Sequence, residues 1–127
     1  MQTLYTLSVS PLALQFLDIF QELDIVVTHF DSARNLHRAL KTHKPDIFIG
    51  EFVYAWGNDY AGNTLSNLDV TLRTLQAVAP RSKRIVVMQA SEAAHIDKLL
   101  AVFPLHATLI LPCTADALRI ALKDTPD

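Results

Sequence analysis

The chain has 127 residues, enough for one domain whose folding buries roughly two thirds of the surface exposed by the unfolded chain. Half of the residues are hydrophobic, 19% are charged and the formal charge is -2, which excludes a disordered chain and leaves no cationic excess for nonspecific nucleic-acid binding. Cys113 is the one cysteine, so no internal disulfide can form, and this usage points to a reducing, cytoplasmic setting.

The apolar N-terminal stretch contains no Lys or Arg ahead of Asp18 and is interrupted by Pro11, so it does not read as a secretion signal. No window is long and apolar enough for a membrane helix, and no run of basic residues suggests an anionic-lipid surface. No membrane partner is expected.

In chain order, residues 4–9 read as a first strand. Ser10 and Pro11 form a helix start, and Ala13, Phe16, Leu17, Phe20 and Leu23 then fall on one helical face. Residues 24–30 carry the β-branched run Ile25, Val26 and Val27, a short buried strand. Asp31 or Ser32 caps a second helix with the stripe Ala33, Leu36 and Leu40, which Pro45 stops at about Lys44. Residues 46–52 form strand three.

Residues 53–66 are polar and turn-rich, and the three glycines, Gly50, Gly57 and Gly62, lie in or beside them. Ser66 with Asp69 resembles a helix start, followed by Leu68, Leu72, Leu75 and Ala79 on one face and a stop at Pro80. Residues 84–89 are strand four. Ser91 caps a fourth helix with the stripe Ile96, Leu99, Leu100 and Phe103. Residues 107–111 are strand five, and Thr114 caps a fifth helix carrying Ala117, Leu118, Ala121 and Leu122 ahead of a short acidic tail at about 124–127.

Five apolar strands alternating with five amphipathic helices predict a single α/β domain over 1–127, with a parallel sheet covered on both faces. The doubly wound, flavodoxin-like order 2-1-3-4-5 is the expected arrangement. Ligands in such sheets bind beyond the carboxyl ends of the strands, which directs attention to Ser8, Val9, Glu51, Phe52, Gln89, Ala90 and Leu111.

The run Pro45-Asp46-Ile47-Phe48-Ile49-Gly50-Glu51 resembles the strand that leads to the phosphoacceptor in response-regulator receiver domains, the CheY-like family. Leu111-Pro112 resembles the Lys-Pro pair after that family's fifth strand, and the ten elements match in order and length over essentially the whole chain. The resemblance implies a two-component phosphorelay switch in which an acidic pair and an acceptor Asp hold magnesium, a hard cation that needs oxygen ligands, while a Lys and a hydroxyl complete the phosphoryl site. Here those positions hold Ser8 and Val9, Glu51, Leu111 and Gln89, and the aromatic switch position holds Thr108. On that comparison the chain is identified as a degenerate pseudo-receiver, not an enzyme and without a metal or other cofactor. It is expected to bind a protein partner, or a second copy of itself, through helix four, strand five and helix five. His95, Lys98, Thr108 and Arg119 are the residues placed on that face.

Two further readings concern Glu51: a fixed carboxylate that imitates the phosphorylated state, or a solvated acid at a strand end. Cys113 precedes a helix N-terminus that can lower a thiol pKa, but no base is adjacent, so it reads as a small packing residue. The histidines at 29, 37, 43, 95 and 106 show no i, i+4 pair for zinc and read as surface residues.

The alternative class is a small-molecule, nucleotide or flavin-binding flavodoxin-like protein or enzyme, with Ser8, Glu51 and Gln89 as a polar pocket. The segment Ser8-Val9-Ser10-Pro11 supplies hydroxyls for a phosphate cradle but no glycine. Tyr54, Trp56 and Tyr60 crowd one loop, either as anchors for a partner or as a lid over the strand ends.

Overall fold

The computed structural model describes residues 2–7, 16–53 and 68–123. Along the chain these form β1 (Gln2–Leu7), α1 (Leu17–Glu22), β2 (Ile25–Phe30), α2 (Ala33–Leu40), β3 (Ile47–Glu51), α3 (Asp69–Val78), β4 (Lys83–Gln89), a 3-10 turn (Ala90–His95) running into α4 (Ile96–Leu100), β5 (Ala107–Leu111) and α5 (Ala115–Lys123). The strands make one sheet in the order β2-β1-β3-β4-β5, and every neighbouring pair is parallel. This is the expected doubly wound arrangement. No described helix is long and apolar enough to cross a membrane.

Period-2 alternation sends the side chains of the inner strands β1, β3 and β4 to two separate cores. Leu4, Ile47, Ile49, Ile85, Val87 and Leu111 meet Ile19 and Phe20 of α1 and Leu118 and Leu122 of α5. Tyr5, Leu7, Phe48, Val86 and Met88 meet Leu36 and Leu40 of α2, the α3 stripe Leu72 and Leu75, and Leu99 of α4. The central strand β3 is buried along its whole length, as a parallel strand covered on both faces must be.

Local chemistry sets the helix ends. Ser32 Oγ accepts from the Asn35 amide at 3.2 Å, and Thr114 Oγ1 accepts from the Ala117 amide at 3.0 Å, so both predicted caps form. Helix α2 nevertheless ends at Leu40 rather than near Lys44, because the Thr42 and His43 amides both turn back to the Ala39 carbonyl. Asp24 takes φ 58° in the tight turn between α1 and β2, a left-handed conformation that a short acidic side chain tolerates.

Four expectations need correction. On α1, Leu17 is 45% exposed and Ile19 takes its place in the core, so the packing stripe is rotated from the predicted one. Strand β2 is not a buried strand: it lies at the sheet edge, and Val26 is 48% exposed. Ser91 does not cap the fourth helix, which begins as a 3-10 turn without a side-chain cap and presents Leu100 to solvent. Leu68, not Ser66 or Asp69, occupies the cap position of α3, where it makes no side-chain cap bond. Ser66 itself, like the predicted helix start at Ser10 and Pro11, lies outside the described residues.

Candidate functional site

The strands end together at the carboxyl edge with Leu7, Phe30, Glu51, Gln89 and Leu111. Strand β3 lies between β1 and β4, and the register sets Glu51 beside Val87 and Gln89 beside Leu111. The Phe52 amide donates to the Val87 carbonyl at 2.8 Å, carrying the pairing one residue past Glu51. Of the five strand-end residues Glu51 alone is charged, and it is 3% exposed, so the reading of a solvated acid is wrong. Its register places it on the sheet face of Ile47 and Ile49, toward α1 and α5.

Gly50 is what lets the chain approach so closely here. A Cβ at Gly50 would stand 2.8 Å from the Phe48 ring and 2.9 Å from Leu68 Cδ2. Both neighbours are fully buried and have no room to yield. On β5, across β4 from β3, Leu111 is buried and precedes Pro112 through a cis peptide bond. Gln89 is exposed at the end of β4.

No protein-family profile matches the chain, and no curated protein matches it. Solved structures do. A response regulator receiver domain protein from Clostridium thermocellum is similar with a TM-score of 0.69 at 18% identity, over 96% of this chain and 91% of that one. A response regulator from Thermotoga maritima gives a TM-score of 0.73 at 14% identity over 97% and 95%. The signal receiver domain of a putative Luxo repressor protein from Vibrio parahaemolyticus gives 0.72 at 15% identity over 95% and 86%. The fold is that of receiver domains.

The described part of the edge offers one buried carboxylate, Glu51, an exposed amide, Gln89, and an apolar side chain, Leu111. Magnesium takes six oxygen ligands, of which one or two are usually protein carboxylates and the rest waters and phosphate oxygens. Glu51 is the single strand-end acid, while Asp31, just after β2, is separated from β3 by all of β1. Among the described residues no three of His, Cys, Asp and Glu are placed to hold a metal ion. Ser8 and Val9, which follow Leu7 directly, lie outside the described residues, as do Tyr54, Trp56 and Tyr60.

Cys113 is half-buried against the α1 and α5 core, and burial pushes its thiol up, away from activation. On the α4 side, Lys98 and Thr108 are exposed and His95 is half-buried. Thr108 and Ile110, the latter 51% exposed, share one face of the edge strand β5, because Leu109 and Leu111 turn to the opposite core. Arg119 stands apart from them. Its guanidinium donates to Glu22 of α1 at 2.8 Å and to Asp116 at 2.7 Å, which clasps α5 to α1.

His29 and His43 are exposed, as expected of surface residues, but His37, His95 and His106 are half-buried, and several of the imidazoles make specific contacts. His37 Nε2 meets Thr71 Oγ1 at 2.8 Å and joins α2 to α3, while His106 Nδ1 accepts from the Arg84 amide at 2.8 Å at the start of β5. His29 Nδ1 meets Thr6 Oγ1 at 2.9 Å, linking β2 to β1. The sequence carries no signal for these pairings, because each partner lies 22 or more residues away.

Proposed function

We propose that the chain is a receiver-fold signalling or scaffold module that acts by contact with a protein partner and does not use aspartyl phosphorylation. One observation carries the proposal. At the end of β3, where the resemblance sets the phosphoacceptor, stands a glutamate 3% exposed, and β5, one strand beyond β4 in the same sheet, ends in the buried, uncharged Leu111. Phosphoryl transfer is catalysed almost wholly by positioning and by charge neutralisation. With Leu111 in place of a cation, nothing on β5 would offset the charge of a phosphoryl group at residue 51.

The partner surface in this reading is the exposed side of α4 and β5 with the adjoining edge of α5. Lys98, Thr108 and His95 contribute polar contacts around the exposed Ile110, and an unpaired edge strand supplies backbone donors and acceptors. The same surface would serve for self-association. Arg119, engaged with Glu22, acts as an internal clasp and not as a contact residue.

The test is incubation of the intact chain with a small phosphodonor and magnesium, read by intact mass. The protein is expected to gain no phosphoryl group. A stoichiometric adduct on Glu51 or elsewhere at the strand ends overturns the proposal.

A further inference from the structure

A second surface, on the opposite side of α3 from α4, has a different character. Two cavities adjoin between α2 and α3, one of 220 Å³ beside His37, Leu40 and Lys41, the other of 360 Å³ running from Lys44 to Arg81 at the amino edge of the sheet. Val78 lines both, so they form one groove. Its floor is apolar: Leu40 is buried, and Val78 is 37% exposed.

The rim is cationic. From Ser32 to Pro45 the sequence holds Arg34, Arg38, Lys41 and Lys44 and no acid. Of these, Lys41 lines the smaller cavity and Lys44 the larger. Arg81 closes the far end. Of the acids nearby, Asp69 is 3% exposed, while Asp46 lines the larger cavity, is exposed and accepts from the Thr3 amide at 2.9 Å, so Lys41, Lys44 and Arg81 outnumber one carboxylate there. A chain of net charge -2 thus presents a local positive groove with an apolar floor.

We infer that this groove docks an acidic amphipathic peptide segment of a partner protein. Apolar side chains of the segment would enter the two cavities, and its carboxylates would meet Lys41, Lys44 and Arg81, the helix-in-groove mode of recognition. A nucleic acid is a poorer match. The floor is aliphatic and offers no exposed aromatic ring on which a base could stack, since the His37 ring is committed to Thr71. The inference does not depend on the state of the carboxyl edge and stands or falls apart from the phosphorylation test.

The full chain is used to select binders from a displayed library of short random peptides, and the selected peptides are measured by fluorescence anisotropy beside a single-stranded oligonucleotide. The selected peptides should be net acidic, with apolar residues at three- and four-residue spacing, and their affinity should fall with added salt. Val78→Glu and Lys41→Glu should each weaken binding about tenfold or more. Both side chains are exposed, so the variants should fold, and Lys41→Ala with a smaller loss provides the milder check. The inference is overturned if no acidic binders emerge, or if all three substitutions leave their affinity unchanged. Preference of the groove for the oligonucleotide, or self-association of the chain abolished by Val78→Glu, overturns it as well.

Discussion

The ammonium of Lys83, the first residue of β4, donates to the carbonyl oxygen of Leu122 in the last turn of α5 at 2.8 Å. Lys83 is 7% exposed, so a buried cation meets the negative end of a helix dipole and satisfies one of its terminal carbonyls. Replacing it by Met keeps the packing of the stem and removes the donor. Lys83→Met is expected to cost about 1–3 kcal/mol, read as a lower urea midpoint at unchanged slope. An unchanged midpoint would show that the bond adds nothing net.

Gly50 has a steric role beside Glu51. Gly50→Ala forces a methyl group into the buried Phe48 ring and Leu68, and overpacking of this kind costs about 1–3 kcal/mol. Thermal melts of the variant should show the loss. A gain in stability would mean that α3 can move off β3 without penalty.

Burial holds the His37 and His106 imidazoles below their ordinary value, and for His106 the charges of Arg84 and Lys83 push the same way. The folded state therefore binds fewer protons than the unfolded chain, whose histidines titrate near 6.5. The contribution of neutral imidazole is complete above that value and is lost as the pH falls through the lower folded values. Urea midpoints should drop on acidification below 6.5, and a His37→Gln, His106→Gln variant should show a shallower drop. The same slope in both proteins would assign the pH dependence to other groups.

The caps at Ser32 and Thr114 offer a matched pair of helix-end tests. Ser32→Ala and Thr114→Ala should each cost about 1 kcal/mol by denaturant unfolding. Thr114 follows the turn at Pro112 beside the end of β5, so a loss larger than that of Ser32→Ala would show that the cap also holds this turn.

Much of the fold was legible because periodicity reports burial. The β3 and β4 runs and the α3 stripe Leu68, Leu72, Leu75 and Ala79 are buried as their spacing requires. The errors fall where tertiary position decides. Val26 has the composition of a core strand but stands on the sheet edge, and Leu17 and Leu100 fit a helical stripe yet face outward on short helices. The histidine pairings need contacts across the fold that no local pattern encodes. The basic groove escaped for a related reason, since Lys41, Lys44 and Arg81 form no run in the sequence and come to the same two cavities only when α2 and α3 pack together. At the strand ends the residue types were readable one by one, but the burial of Glu51 was not: a Glu following a Gly reads as polar surface until the sheet is assembled.

The central claim is that the carboxyl edge around Glu51 cannot hold a dication together with a phosphoryl group. Crystals soaked in magnesium and beryllofluoride, which mimics a bound phosphoryl group, test it most directly. The account predicts no ordered ion and no fluoride species beside residue 51, with Leu111 and Glu51 unmoved. An ordered magnesium ion bridging Glu51 and a beryllofluoride group would contradict it and make the protein a phosphorylation switch.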